Sequence, residues 1–184
     1  MRIVGGALRG RPLASPRSDG IRPTSDRTRE AVFNVIAHAY REHLEGGRVL
    51  DLFAGTGALG LEALSRGASH CVFIEESAQG RGLIRDNVEA FGLQGRTKIF
   101  RRDATMLGHV GTVIPFDLVF ADPPYGKALG ERAIASALAG GWVRPGALIV
   151  VEEAASSPFQ APSGLVLADR REYGDTCVSF CTHA

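Results

Sequence analysis

Residues 48–60 join a short apolar run, RVLDLF, to a cluster of small residues, AGTGALG, and the leucines that follow (Leu59, Leu61, Leu64) keep helical spacing. A strand that turns through glycines into a helix has few folds open to it. The helix must pack back on the sheet, and the next strand must run parallel to the first. The chain continues in that manner. HCVFIE (70–75) reads as a second strand, and 77–91 as a helix with Leu83, Ile84, Val88 and Phe91 in register and Gly92 as terminator. TKIFRRD (97–103) reads as a third strand, followed by a loop or short helix. FDLVFADPPY (116–125) is a continuous apolar run ending abruptly in polar and proline residues, as in a central parallel strand and its exit loop. A helix over 129–139, a buried strand ALIVVEEA (147–154), and GLVLADRREY and TCVSFCTH as a closing hairpin about Gly174 and Asp175 complete the pattern. The expectation is an α/β fold around a mostly parallel sheet with an antiparallel edge.

The first 47 residues differ. MRIVGGALRGRPL predicts a short hairpin turning at Gly5-Gly6, 13–24 a loop, and 26–44 one amphipathic helix with Ala31, Val32, Val35, Ile36 and Ala39 on its apolar side. At 184 residues the chain suits one domain, so residues 1–47 are expected to belong to one unit with residues 48–184. Apolar residues at 45% and charged residues at 22% exclude a mostly disordered chain. The net charge of +1 hides an asymmetry: residues 1–29 carry seven arginines against Asp19 and Asp26, while the remainder holds fourteen basic and eighteen acidic residues. A basic arm of this kind is either a phosphate-contacting element or a solvated leader. The start, MRIVGG, lacks the apolar run of a secretory signal, and no stretch approaches the roughly 18 apolar residues of a membrane span, so a cytoplasmic protein is expected. Cys71, Cys177 and Cys181 have neither paired spacing nor an even count, which indicates buried thiols rather than disulfides or a zinc site.

Gly55, Gly57 and Gly60 satisfy GxGxxG in the required place, after a strand and at the start of a helix. Glycines there let a ligand approach the backbone. Glu75, ending the next strand, can accept hydrogen bonds from the two hydroxyls of a ribose. Together they predict an adenosine-containing cofactor across the carboxyl ends of two adjacent strands. A nicotinamide dinucleotide satisfies the same spacing. Asp51 argues against it, because a carboxylate there opposes a pyrophosphate and suits an ammonium group. Asp51, Phe53, Gly55 and Gly57 together resemble the DxFxGxG motif of methyltransferases. The plainer reading of Asp51 is a cap.

Asp122-Pro123-Pro124-Tyr125 follows the strand FDLVFA. Two prolines fix the backbone and remove two amide donors, so nearby carbonyls can face a ligand. An exocyclic amine on a base is a poor nucleophile because its lone pair is delocalised into the ring. Hydrogen bonds from it to the Asp122 carboxylate and the Pro123 carbonyl would hold the nitrogen in line with a methyl donor and stabilise developing positive charge. Tyr125 can stack on the base. Asp103 and Ala104, ending the third strand, are placed for the adenine of the cofactor, with Asp103 accepting from its amino group. The plainer reading is a proline-rich turn with Asp122 as a cap.

From RIVGGALRGR through RPTSDRTREAVFN, DLFAGTGALGLEALSRGA and FIE to ADPPY, the chain resembles the bacterial 16S ribosomal RNA guanine-N2 methyltransferases of the RsmD type. The resemblance implies a class I S-adenosylmethionine-dependent methyltransferase (Rossmann-like) fold with a seven-stranded sheet. S-adenosylmethionine would lie over Asp51, Phe53, Gly55, Gly57, Glu75, Asp103 and Ala104, with Thr24 and Arg27 closing on its methionine end. Capping by Thr24 or Asp26 is nearly as good an account of that segment. The target amine would be that of guanine 966, in the small ribosomal subunit or its precursor, with Arg2, Arg9, Arg11 and Arg22 on RNA and no metal. One position departs from the family pattern: an aspartate commonly lies two residues after the strand-ending glutamate, where this chain has Ser77. The alternatives are an amino-methyltransferase for DNA adenine N6, and a nicotinamide-dependent oxidoreductase or a nucleotide-binding module. Enzymes of the first kind usually carry a separate target-recognition insertion, and no segment here is long enough to be one; the others lack room for a substrate domain and leave DPPY unexplained.

Overall fold

The computed structural model describes residues 1–16 and 25–184. After the leader come helices α1 (Asp26–Ala39) and α2 (Arg41–Leu44), then β1 (Arg48–Leu52), α3 (Ala58–Ser65), β2 (His70–Ile74), α4 (Ala78–Ala90) and β3 (Thr97–Phe100). The chain continues through β4 (Phe116–Ala121), α5 (Leu129–Ala139), β5 (Val143–Ala154), β6 (Leu165–Tyr173) and β7 (Thr176–His183). One sheet holds the seven strands in the order β3-β2-β1-β4-β5-β7-β6. The first five run parallel, and β7 pairs antiparallel with β5 and β6. This is the expected mostly parallel sheet with an antiparallel carboxyl-terminal hairpin.

Alternation along the strands builds two cores. Val49, Phe73, Leu118, Phe120 and Val150 pack with Val32, Phe33 and Ile36 of α1, Leu61 of α3 and Ile84 of α4. Leu50, Leu52, Val72, Ile74, Val119 and Ile149 pack with Ala133 and Ile134 of α5, Trp142 and Phe159. Helices cover both faces of the parallel strands, which is why those strands are continuously apolar. Because β1 lies between β2 and β4, the strand order reverses there and the carboxyl ends diverge into a crevice. The edge strand β6 carries Asp169, Arg170, Arg171 and Glu172, charges that oppose edge-to-edge pairing.

Four elements depart from the sequence expectation. The helix over 26–44 breaks at Tyr40, whose ring stacks on Phe180 at 6.1 Å and whose backbone has left the helical region. Its buried face is Arg29, Val32, Phe33 and Ile36, while Ala39 is exposed. Strand β3 ends at Phe100, so Asp103 lies in a loop. Strand β5 starts at Val143. The leader forms a hairpin with bonds from Ile3 N–H to the Arg11 carbonyl (3.0 Å) and from Gly10 N–H to the Ile3 carbonyl (2.8 Å). Its turn spans residues beyond Gly5-Gly6. Gly6 instead lets the hairpin meet α3, since a Cβ there would lie 2.0 Å from the Ser65 carbonyl oxygen.

Candidate active site

At the end of β1 the chain turns sharply. Phe53 adopts φ 55°, an uncommon conformation for a bulky residue, and Gly55 and Gly57 follow at φ 59° and 80°. Bonds from Ala54 N–H to the Ile74 carbonyl (3.0 Å) and from Gly57 N–H to the Ala54 carbonyl (2.8 Å) hold the loop between β1 and β2. The third glycine has a different purpose from the ligand approach expected of it. A Cβ on Gly60 would lie 2.5 Å from the Phe73 ring and 2.6 Å from Cys71 Sγ, so this glycine lets α3 press on β2.

Glu75 bridges that loop to the start of α4. Its Oε1 accepts from Gly55 N–H at 2.8 Å, and Oε2 accepts from Ser77 N–H (3.0 Å) and the Ser77 hydroxyl (2.7 Å). Ser77 Oγ also accepts from Gly80 N–H, capping α4. The serine that departs from the family pattern is thus occupied in orienting Glu75. A Cβ on Gly80 would sit 2.7 Å from Glu75 Cγ, so a second glycine, unnoticed in the sequence, gives the acid its room.

Asp51 is 1% exposed, with Gly60 N–H donating to its Oδ2 at 3.0 Å. Burial pushes its pKa up to about 8; the Gly60 amide opposes this and the nearby Glu75 charge adds to it. This enclosure favours the protonated carboxyl, and a cation beside it would favour the charged form. Asp103 Oδ1 accepts from the Thr105 hydroxyl (2.7 Å) and N–H (2.8 Å), capping a 3-10 turn at Ala104–Met106, and these bonds hold its carboxyl below the usual range.

On the other side of the crevice, Asp122-Pro123-Pro124-Tyr125 leaves β4. Pro123 is buried against α5, where a Cβ on Gly130 would already lie 3.6 Å from the proline ring. Asp122 and Tyr125 are half-buried and Pro124 is exposed. The Tyr125 hydroxyl lies 2.5 Å from Glu152 Oε1 and 2.8 Å from Thr176 Oγ1, and Gly126 N–H donates to Glu153 Oε1 at 3.0 Å. Glu152 and Glu153 escaped the sequence reading. Their signal was two carboxylates that end the apolar run 147–151 of β5.

The leader is tied to the same region by buried polar groups. Glu62 accepts from Val4 N–H (3.0 Å), Gly5 N–H (2.9 Å), Arg29 Nε (3.2 Å) and Arg66 Nε (2.8 Å). Arg29, counted above in the basic arm, is fully buried, also pairs with Asp26 at 2.8 Å and donates to the Arg2 carbonyl. Asn87 accepts from Ala14 N–H at 2.7 Å and donates to the Thr56 carbonyl at 3.1 Å, so one buried amide joins the leader to the glycine loop. Of the arginines assigned to RNA, Arg2 and Arg9 are exposed. Arg11 donates to the Ala90 carbonyl (2.9 Å) and lies 5.0 Å over the Phe91 ring. Arg27 is exposed in the first turn of α1, whose cap is Ser25 rather than Thr24 or Asp26, with Thr28 N–H donating to Ser25 Oγ at 3.1 Å. Arg22 and Thr24 lie outside the described residues. Among the described residues no cluster of His, Cys, Asp or Glu is placed to hold a metal, and no helix is long and apolar enough to cross a membrane. All three cysteines are buried, and burial raises their thiol pKa values, that of Cys181 to about 11.

Sheet order, the reversal at β1 and the glycine loop over it define the class I S-adenosylmethionine-dependent methyltransferase fold. The family model described as "Conserved hypothetical protein 95" matches residues 1–182. The ribosomal RNA small subunit methyltransferase D of Escherichia coli K12 is 41% identical over 154 residues, 83% of this chain and 74% of that one. The Haemophilus influenzae protein of the same name is 33% identical over 176 residues, 95% of this chain and 89% of that one. The solved structure of the Escherichia coli yhhF protein superposes with a TM-score of 0.83 at 33% identity, covering 100% of this chain and 97% of that one. The chain belongs to the RsmD family of ribosomal RNA small-subunit methyltransferases.

Proposed function

We propose that the protein transfers a methyl group from S-adenosylmethionine to the exocyclic N2 of guanine 966 in 16S ribosomal RNA, presented in the small subunit or its precursor. The carrying observation is the placement of Asp122-Pro123-Pro124-Tyr125 at the carboxyl end of β4, one strand from the glycine loop, in a chain of this family. The residues of the other half suit the cofactor. Glu75 offers a carboxylate for ribose; three of its roughly four acceptor sites are used by Gly55 and Ser77, so one hydroxyl docks without displacing a partner. Asp51, nearly enclosed, acts on the ammonium group through its charge or a water. Phe53, Gly57 and the Asp103–Ala104 turn complete the surface. When bound, the cofactor supplies an electrophilic methyl group.

The chain's own part is to place and polarise the amine. Asp122 and the Pro123 carbonyl accept its N–H groups, which localises the nitrogen lone pair and offsets the charge that develops on nitrogen as the new bond forms. Tyr125 stacks on the base and sets its plane. Arg2, Arg9 and Arg11 contact phosphate, and Arg27 serves the methionine end of the cofactor. Such a small set of basic contacts favours an assembled particle, which supplies the remaining affinity.

Transfer of labelled methyl to small subunits from a strain lacking the endogenous enzyme, followed by nucleoside analysis, tests this. N2-methylguanosine is expected. Label in N6-methyladenosine, or none in RNA, would overturn the substrate assignment, and calorimetric binding of NAD in place of S-adenosylmethionine would overturn the cofactor.

A further inference from the structure

We propose that Glu152 and Thr176 are positioning residues for the transfer, holding the Tyr125 ring, and with it the loop from Asp122, through the tyrosine hydroxyl. The inference rests on the reading of that loop as the amine acceptor. It begins with strand register. Ala121 of β4 faces Val151 of β5, and Glu152 and Ala154 of β5 face Val178 and Thr176 of β7, so the ends of three neighbouring strands converge on the loop.

A phenol has one proton and a carboxylate only accepts. The Tyr125 hydroxyl donates to Glu152 Oε1 at 2.5 Å, which leaves its oxygen to accept from the Thr176 hydroxyl at 2.8 Å. The first contact has the length of a charge-assisted bond, the stronger kind. Glu152 is 7% exposed and borders a small cavity walled by Val32, Leu59, Phe120, Val150 and Val178, where weak screening strengthens the bond further. The next residue, Glu153, takes Gly126 N–H at 3.0 Å and Ala154 N–H at 2.8 Å. The loop is therefore fixed at three successive points: Pro123 against α5, Tyr125 by Glu152 and Thr176, and Gly126 by Glu153.

The consequence is kinetic. A stacked base follows the ring it stacks on, and the amine must meet Asp122 and Pro123 while in line with the methyl group. Displacement by about 1 Å costs on the order of 10²-fold in rate. A brace on the ring should act on turnover and leave cofactor affinity alone.

Single-turnover transfer to small subunits, cofactor affinity by calorimetry and amide exchange over 122–126 should be compared in Tyr125→Phe, Glu152→Ala, Glu152→Gln and Thr176→Val. Tyr125→Phe and Glu152→Ala are expected to slow transfer by about 10–100-fold with cofactor Kd unchanged. Glu152→Gln, whose side-chain carbonyl still accepts the hydroxyl, should recover most of the rate, Thr176→Val should cost less, and Tyr125→Phe combined with Glu152→Ala should be no slower than Glu152→Ala. Full turnover in Tyr125→Phe, or losses that multiply in the double variant, would overturn the proposal. Tyr125→Phe removes a single oxygen and carries the test even where Glu152→Ala fails to fold. Exchange at Tyr125 and Gly126 should accelerate in Tyr125→Phe and stay slow in Glu152→Gln. That reading stands apart from whether the loop receives a guanine, and unchanged exchange in Tyr125→Phe would sink the brace itself.

Discussion

The two halves of the crevice are held in contrasting ways. Around β1 and β2 the structure works through backbone and glycine: Gly55 N–H on Glu75, Gly60 N–H on Asp51, and Gly60 and Gly80 making room for Phe73, Cys71 and Glu75. Around β4 it works through side chains far along the chain, with Glu152, Glu153 and Thr176 gripping a loop of prolines that has few amides of its own to offer. The first half can form as one βαβ unit. The second depends on β5 and β7 being in register, so the half proposed for the cofactor should tolerate changes that disable the half proposed for the amine.

The sharpest break in that comparison is Asp122→Ala. It should lower methyl transfer by about 10²–10³-fold, as for loss of one preorganised charge-stabilising group, with calorimetric affinity for S-adenosylmethionine intact. Retained transfer would remove Asp122 from the chemistry. The mirror experiment is Glu75→Ala, which should weaken cofactor binding about 10–100-fold, the range of hydrogen bonds to a charged group, and leave transfer at saturating cofactor less affected. An unchanged Kd would displace the ribose from Glu75.

On the proposed reading, Asp51 makes cofactor binding depend on pH. Its carboxyl titrates near pH 8 when folded and near 3.8 in the ordinary range, so the folded chain holds the extra proton between these values. The contribution of this group to stability is present at low pH and is lost as pH rises through about 8. An ammonium favours the ionised form. Cofactor affinity should therefore rise about tenfold from pH 6 to pH 7, until the ammonium begins to lose its own proton near 7.7–8.0. Titrations in buffers of differing ionisation enthalpy should show proton release on binding at pH 7. Asp51→Asn should flatten the profile, and a profile of unchanged slope would contradict the assignment.

The smallest effect concerns the leader. Asn87→Ala leaves the Ala14 amide and the Thr56 carbonyl without their buried partner, at a cost of about 1–3 kcal/mol. A lowered Tm with a severalfold weaker cofactor Kd is expected, because the leader and the glycine loop lose their shared contact. A lowered Tm with Kd unchanged would show that Asn87 supports the fold alone.

The half proposed for the cofactor was legible as structure in the sequence because its signals are local: strand, glycines, helix and acid occur within 48–75 in the order in which they meet in space. The loop proposed to accept the amine stood out too, since DPPY is contiguous. Its supports were not. Tyr125 and Thr176 meet only through the pairing of β5 with β7, and Glu152 reads as one more residue at a strand end. The leader shows the same limit. Arg29 reads as one more basic residue, yet it is fully buried between Asp26 and Glu62, and Glu62 lies in an apolar helix with no spacing to mark it. Tyr40 broke the predicted long helix because its ring packs on Phe180 of β7, a contact that local periodicity does not encode.

The claim on which these readings converge is one methyl group on one exocyclic amine. Its most direct test is to label small subunits with the purified protein, digest the 16S RNA and map the methylated fragment by mass. A single methyl on N2 of guanine 966, absent with Asp122→Ala, is the predicted result; a methyl on another nucleotide, or one that persists in Asp122→Ala, would contradict it.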